Sequence, residues 1–343
     1  MAKKIKAVTM SDIAQKLDIS TVTVSKALSN QKGVSDEMRE KIKTLAKEMG
    51  YKYAFSKDKA KEKSYVLGIL VPDHYMNRQD SFYGRMCQEI TAKATQKGFF
   101  ALMEFLDEAS IKEGKIPKLI QENKVDGLVV VGNPGFQYHK VLMDKVNKPL
   151  VYMDFFDAEI QADAVISNSY IGSYLLADYL IRAGHKEIAY VGTLGVTGSI
   201  TDRYLGYVRA MMEHGLKIEP QWLIKDRETE SDGLKHTYKE IELPQQMPTA
   251  FVCNNDYAAS LVIRSLREAG YRVPQDISVV GFDNYIYPWQ CDIGITTYEV
   301  NIVEMAKKSV EVLYNKLKGL ENQTHIYTIE GRLVEKESVQ KIG

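Results

Sequence analysis

The stretch DISTVTVSKALS, Asp18 to Ser29, gives two answers to one question. Thr21-Val22-Thr23-Val24 alternates polar and apolar β-branched residues, as a half-buried strand does, whereas Ser25-Lys26-Ala27-Leu28 favours helix. A strand here has no partner, because the surrounding segment contains no second run of that kind. A helix capped by Ser20 sorts cleanly. Val24, Ala27 and Leu28 turn inward against Ile13, Leu17 and Ile19, while Thr21, Val22, Ser25 and Lys26 share the outer face at i, i+1, i+4, i+5 spacing. The stretch therefore reads as a helix that displays hydroxyls, methyls and one ammonium.

Its flanks carry helix punctuation. Ser11-Asp12 precede Ile13, Ala14 and Leu17, which share one face, and Asp18 sits at a tight turn where an acid tolerates unusual backbone angles. Ser35, with Asp36 and Glu37, opens a longer helix bearing Ile42, Leu45, Ala46 and Met49, and Gly50 ends it. Two short helices joined by a tight turn make a helix-turn-helix. Short hydroxyl and methyl groups near a helix N-terminus reach base edges in a DNA major groove, and a lysine reaches guanine acceptors or phosphate. The bland alternative is a three-helix cap with a solvated outer face.

Composition sets the frame. The 343 residues, 45% apolar, suffice for two or three domains with real cores. No run approaches a membrane span, and Met-Ala-Lys-Lys-Ile-Lys lacks the apolar stretch of a secretory signal. Cys87, Cys253 and Cys291 are scattered, odd in number and without CxxC, so they read as free thiols in a reducing cytoplasm, with neither disulfide nor metal. The net charge of zero hides an asymmetry: residues 1–63 hold 15 Lys+Arg against 8 Asp+Glu, and the remainder 30 against 37. A basic head on an acidic body suggests a polyanion partner, the alternative being a solvated lysine-rich arm.

The chain divides at YKYAFSKDKAKEKS (51–64), lysine-rich and without apolar periodicity. Expected are a head over 1–55, a linker over 56–64 and a core over 65–343. From Tyr65 short apolar runs alternate with helical patterns: YVLGILV, FFALMEF, GLVVVG, PLVYMDF, AVIS, IAYVG, TAFVCN, ISVVGFD. Such alternation means βαβ units and parallel sheet. Eight runs before residue 283 exceed one ordinary sheet, so the core is expected to be two doubly wound α/β lobes with a ligand cleft at the carboxyl ends of the strands.

At this point VTMSDIAQKLDISTVTVSKALS and VSDEMREKIKTLAKEMGY resemble the DNA-binding head of the lactose- and galactose-repressor family of bacterial transcription regulators. LGILVPD, VDGLVVVG, LIRAGHKEIAYVG, DRYLGYVRAM, PTAFVCNNDYAA, VPQDISVVGFDN and ITTYE follow that family's core in order, from about Val8 to Val334. The resemblance implies an all-α helix-turn-helix head on a core of the type I periplasmic-binding-protein fold. It implies a homodimer on a pseudo-palindromic operator in double-stranded DNA, controlled by a sugar-like effector in the cleft, with no cofactor, metal or membrane. Thr21, Val22 and Lys26 would occupy base-reading positions, and Thr9, Ser11, Ser20, Thr23 and Ser25 phosphate or capping positions. Asp154 and Asp283 would accept hydrogen bonds from sugar hydroxyls, or instead cap the helices that follow. Arg203 would anchor the effector, Asn255 would be a polar contact, and Phe82, Tyr83 and Phe155 would be walls.

The sequence departs from the family in places. Arg227 falls where relatives often present an aromatic platform; a second arginine beside Arg203 suits an anionic effector, and a surface salt bridge is the competing reading. Val300-Asn301 replaces Gln-Pro. The absence of an apolar heptad tail before Gly343 favours a dimer over a tetramer. Tyr53-Ala54 replaces Pro-Asn, and Ala60 stands nearest the place of the leucine that wedges into the minor groove. The linker is therefore expected to hold DNA by charge, Phe55 being the one nearby side chain able to substitute as a wedge.

Other functions fit less well. No GxSxG, P-loop or GxGxxG is present, and His74, His139, His185 and His236 do not fall at metal-ligand spacing, His185 reading as a turn or helix-end group. A secreted sugar-binding protein would carry a signal and no basic head. The alternative kept open is a regulator governed by a protein co-regulator, as in carbon-catabolite control, rather than by a sugar.

Overall fold

The computed structural model describes residues 8–29, 31–49, 51, 64–76, 82–156, 159, 161–229, 236–285 and 291–342. The chain forms two compact units, Met1–Ser64 and Tyr65–Gly343. Gly50 and the linker, including Phe55 and Ala60, lie outside the described residues except for Ser64.

The first unit contains α1 (Met10–Leu17), α2 (Thr21–Leu28) and α3 (Asp36–Glu48). The strand-like run is helical. Ser20 caps α2 by accepting from the Thr23 amide, and Val24, Ala27 and Leu28 are buried with Ile13, Ala14, Ile42 and Ala46 in one small core. α1 starts one turn earlier than its Ser11-Asp12 pair suggests. Thr9 is the N-cap, and Thr9 and Asp12 form a reciprocal capping box that satisfies two helix-start donors. Asp18 ends α1 in the left-handed region, φ 52°, and turns the chain into α2.

The second unit holds two six-stranded sheets and one two-stranded sheet. Lobe 1 begins β1 (Val66–Pro72), α4 (Phe82–Gln96), β2 (Phe100–Leu106), α5 (Glu108–Lys112), α6 (Lys118–Gln121), β3 (Gly127–Val131), α7 (Phe136–Lys145), β4 (Leu150–Met153), β5 (Asp163–Ser167). The chain then crosses to lobe 2 with α8 (Ser169–Arg182), β6 (Ile188–Val191), α9 (Gly198–Glu213), β7 (Leu223–Ile224), β8 (Arg227–Thr229), β9 (His236–Tyr238), β10 (Ala250–Cys253), α10 (Asp256–Glu268), β11 (Ser278–Asp283) and β12 (Thr296–Glu299). It returns through α11 (Ile302–Leu317), which packs on β3, β4 and β5, and β13 (Ile326–Ile329), then crosses again to β14 (Arg332–Val334).

All eight apolar runs are strands. The sheet orders are β13-β5-β4-β3-β1-β2 and β14-β12-β11-β10-β6-β7, parallel throughout except β14 against β12. Helices cover both faces, so Leu67, Ile69, Leu70 and Val129 to Val131 are fully buried and the strands read as near-continuous apolar runs. α8 and α9 meet at Gly206, where a Cβ would stand 2.1 Å from the Tyr170 carbonyl oxygen; only glycine permits that approach. Cys87 and Cys253 are buried and Cys291 half-buried, all free. Among the described residues no helix is long and apolar enough to cross a membrane, and no group of His, Cys, Asp and Glu is arranged to hold a metal.

Candidate functional site

The head presents one distinctive surface. On α2, Thr21, Val22 and Lys26 are exposed, Val22 to 59%, while Thr23 and Ser25 are half-buried. An isolated exposed valine on so small a helix has no packing purpose. Ser20 and Thr23 are occupied in the cap, their hydroxyls 2.8 Å apart, and Thr9 is occupied with Asp12; Ser11 is exposed. Capping thus accounts for Thr9, Ser20 and Thr23, and leaves Thr21, Val22 and Lys26 as the outward set.

In the core, each sheet reverses its winding once, between β1 and β3 in lobe 1 and between β6 and β10 in lobe 2. Ligands of such sheets bind outside the strand carboxyl ends at these switch points. Tyr75 follows β1, Asn133 follows β3, and Asp154 and Phe155 follow β4; Asn254 and Asn255 follow β10, and Asp283 closes β11. Asp154 (φ 62°) and Asp283 (φ 100°) take positive φ, which Asp tolerates better than most residues that carry a side chain.

Arg203, on α9 and 6% exposed, is the hub. It donates from Nε to Ser169 Oγ (3.3 Å), from Nη1 to the Asn254 carbonyl (2.5 Å) and from Nη2 to Asp283 Oδ1 (3.3 Å). Its guanidinium lies 3.8 Å from the Phe282 ring centroid. From lobe 1, the Tyr83 hydroxyl hydrogen-bonds Asp154, and Tyr75 stacks on Tyr83 at 4.1 Å. Phe155 lies flat against the buried His139 at 4.2 Å, and Phe82 meets Tyr285 edge to face at 5.8 Å. Phe82, Tyr83, Asp154 and Phe155 thus come from lobe 1, and Arg203, Arg227, Asn255 and Asp283 from lobe 2.

Burial leaves the cleft carboxylates short of positive charge. It pushes the Asp283 carboxyl up to about 8 against the opposing pull of Arg203, Asp154 to about 6, and Asp256 to about 7. Arg227 forms a salt bridge, though a buried rather than a surface one. Its Nε and Nη2 bind Asp226 Oδ2 (3.1 and 2.8 Å), and Nη2 also reaches Tyr238 Oη (2.9 Å). Asp226 is fully buried and accepts further from Thr193 and Asn254.

Asn255 is an N-cap, accepting from the Ala258 amide, and its amide nitrogen donates to Tyr238 Oη at 2.7 Å. Its neighbour Asn254, 1% exposed, does the linking: its carbonyl takes Arg203, its Oδ1 takes Arg227 (3.3 Å) and its Nδ2 donates to Asp226 (2.7 Å). Asn301, which replaces the family's proline, caps α11. His185, just past α8, is buried between Thr249 and the Gln340 carbonyl. Tyr75, Asn254, Asp226 and Tyr238 escaped the sequence reading; the available signal was position, immediately after or within strand ends that face the cleft.

The free space beneath Tyr75, Tyr83, Asp154 and Phe155 amounts to about 60 Å³, well under the roughly 300–1,000 Å³ of small-molecule sites. A larger groove of about 340 Å³ lies beside the lobe crossings, but its ionised groups Arg332 and Glu299 are paired and Glu330 holds Asn168.

Residues 9–53 match the bacterial regulatory proteins of the lacI family, and residues 177–339 match a periplasmic binding protein-like domain. The HTH-type transcriptional repressor CytR of Escherichia coli (strain K12) is 27% identical over 315 residues, 91% of each chain. The HTH-type transcriptional repressor PurR of Vibrio vulnificus (strain CMCP6) is 26% identical over 337 residues, 98% of this chain and 99% of that one. Among solved structures, the transcriptional regulator CelR–cellobiose complex aligns with a TM-score of 0.67 at 19% identity, covering 96% of this chain and 99% of that one. The lac repressor dimer bound to operator and the anti-inducer ONPF aligns at 0.62 and 22% identity, covering 98% and 100%. The head thus matches the lacI family of bacterial regulatory proteins, the core matches a periplasmic binding protein-like domain, and relatives named as repressors align along nearly the whole chain.

Proposed function

We propose that this chain is a transcriptional repressor that binds operator DNA as a homodimer, with its DNA affinity set by a small sugar-like molecule held between the two core lobes. The observation that carries the DNA half is the outer face of α2. Thr21, Val22 and Lys26 project from a helix whose opposite face is fully used in packing. In this reading those three contact bases, and Ser11 and Ser25 contact phosphate, with Thr9, Ser20 and Thr23 holding the helix starts. CytR and PurR, similar over nearly their full length, are repressors by name, which supports a regulator rather than an enzyme.

The effector half rests on convergence. Arg203 supplies a forked donor, Asp154 and Asp283 supply acceptors, and Phe82, Tyr83 and Phe155 supply apolar walls, the set a polyol needs. Cellobiose occupies one structural neighbour and ribose another, a LacI family regulator from Enterococcus faecium. An anionic effector fits less well, because Arg227 is committed to Asp226 and Tyr238. The test has two steps. Selection from random duplex DNA should return two inverted half-sites with centres separated by a whole number of helical turns. A thermal-shift screen should then find a sugar that stabilises by about 2.7 kcal/mol at 100 times its dissociation constant and changes affinity for the selected DNA. Selection that returns no sequence, or a stabilising sugar without effect on DNA affinity, refutes the corresponding half.

A further inference from the structure

The lobe 1 end of the cleft has a composition that the sugar reading leaves unused. Among the described residues its pocket is lined by four aromatic rings, Tyr75, Tyr83, Phe155 and Phe156, and by two carboxylates, Asp154 and Asp202, and by no lysine or arginine. Both cleft arginines belong to lobe 2 and are engaged there, Arg203 by Ser169, Asn254 and Asp283, Arg227 by Asp226 and Tyr238. Among the described residues the Asp154 carboxylate has one hydrogen-bond donor, the Tyr83 hydroxyl, which leaves acceptor capacity for a ligand. The positive features that act on it among the described residues are the start of α9 and the Arg203 guanidinium, the latter already engaged by Ser169, Asn254 and Asp283, set against two carboxylates.

The rings are also held rigidly. Tyr75 stacks on Tyr83, and its hydroxyl reaches the Asn133 carbonyl at 3.4 Å. Phe155 is backed by His139, whose Nε2 meets Asn133 Oδ1 at 3.1 Å. Burial drives His139 down to about 3, so its ring stays neutral and adds no competing charge. Aromatic faces around a carboxylate, in a space of about 60 Å³ where a water takes roughly 30 Å³, suit a compact cation better than a whole sugar ring.

We propose that this pocket takes a protonated amine, and that the effector is an amine-bearing polyol, such as an amino sugar, with its ammonium against Asp154 and the rings of Tyr83, Tyr75 and Phe155. This rests on the cleft being the effector site. The ammonium donates to Asp154 and lies over the rings, while hydroxyls on the rest of the molecule face Arg203 and Asp283 as the lobes part to admit it.

Isothermal titration and thermal shift on the full chain at neutral pH test this with matched probes: D-glucosamine, D-galactosamine and D-mannosamine, each beside its parent hexose and its N-acetyl derivative. At least one amine should bind ten-fold or more tightly than both uncharged counterparts. That preference should fall below two-fold in Asp154→Asn, a substitution suited to the backbone angle there. Tyr83→Phe, which keeps the ring and frees the carboxylate, should retain the preference and guards against a folding defect in the first variant. A hexose or N-acetylhexosamine binding as well as its amine overturns the amine and leaves the sugar-controlled reading standing. Asp154→Asn keeping the preference overturns the assignment to this pocket. A panel in which nothing binds counts against both readings.

Discussion

Removing Arg203 isolates the electrostatics of the cleft. In Arg203→Ala the buried Asn254 carbonyl loses a donor, at about 1–3 kcal/mol. The contact over Phe282 is also lost, worth about 1–2 kcal/mol when desolvated. Asp283 loses its partner, and breaking a buried pair from one side costs about 3–5 kcal/mol when the remaining charge cannot be neutralised. Here it can. Asp283 ionises only near pH 8 in the folded chain against 3.8 in the reference state, so at pH 6 it is already protonated and its share of the loss is small. The sign follows from proton counting. Between the two values the folded state binds the extra proton, so the contribution is full in acid and is lost as pH rises through about 8. The wild type should therefore lose stability from pH 6 to pH 9, with a shallower slope in Asp283→Asn, where Asp154 and Asp256 still titrate. Arg203→Ala should lower the urea-unfolding free energy, followed by circular dichroism, by about 2–5 kcal/mol at pH 6 and by more at pH 9. The double-mutant coupling to Asp283→Asn should grow from near zero to at least about 1 kcal/mol across that interval. A coupling that does not change with pH would refute the claim that Asp283 carries an uncompensated charge.

Lys26→Ala should cost about 1–3 kcal/mol in operator binding and relax preference at one base pair per half-site, read by competition among operator variants; a uniform loss would make Lys26 a phosphate contact. The head itself should bind with log affinity falling by roughly 0.9 per phosphate contact for each unit of log salt, and salt-independent binding would exclude the polyanion reading. Thr9→Ala removes the capping box of α1 and should lower the stability of the helix-turn-helix unit by about 1 kcal/mol in thermal melts, without altering which sequences are preferred. Gly206→Ala forces a Cβ onto the Tyr170 carbonyl and should destabilise the core by about 1–3 kcal/mol in urea; an unchanged midpoint would mean that α8 and α9 separate freely.

Legibility in the sequence followed burial. Seven of the eight expected strands are interior and were plain because both faces of a parallel sheet are covered, which demands unbroken apolar runs such as GLVVV (127–131), whereas β2, FALMEFL (100–106), is an edge strand that is apolar although mostly exposed. β13 alternates exposed and half-buried residues, and β8 and β9 are three residues each on a two-stranded sheet, so neither period nor length marked them. In the cleft, Arg203, Asp154 and Asp283 stood out as charged residues beside strand ends or in a recognisable motif. Asn254 did not, because in CNND its neighbour Asn255 is equally polar, and only three-dimensional pairing separates the helix cap from the residue that ties Arg203, Arg227 and Asp226 together. Arg227 could be read as free or paired until its partner Asp226, adjacent in sequence, proved to be fully buried.

The same charge deficit explains how a ligand can act on the lobes at all. A ligand shifts a conformational equilibrium only by its difference in affinity for the two states. Burial resists ionisation of Asp154 on lobe 1 and of Asp283 on lobe 2, the charge of Asp154 adds to the resistance of Asp283, and the Arg203 guanidinium opposes it at both. Bringing the lobes together without a ligand therefore desolvates both carboxyl groups around a guanidinium already engaged by Ser169, Asn254 and Asp283. Hydrogen bonds with a ligand reverse that sign: each is worth about 1.5–3 kcal/mol to an ionised group such as Asp154 and about 0.5–1.5 kcal/mol to Asp283 while it is protonated, and those spanning Asp154 and Asp283 form only when both lobes are in reach. One or two such contacts supply the 1–3 kcal/mol of coupling typical of allosteric control. The carboxylates thus work against closure alone and for closure around a donor-rich molecule. On this argument Asp154→Asn should make the lobes close more readily while making closure less dependent on effector, so that DNA affinity in that variant becomes nearly insensitive to the effector rather than uniformly weak. Small-angle scattering with and without effector checks the first half and operator titration the second; a variant that keeps its full effector response would place the switch elsewhere than at these two carboxylates.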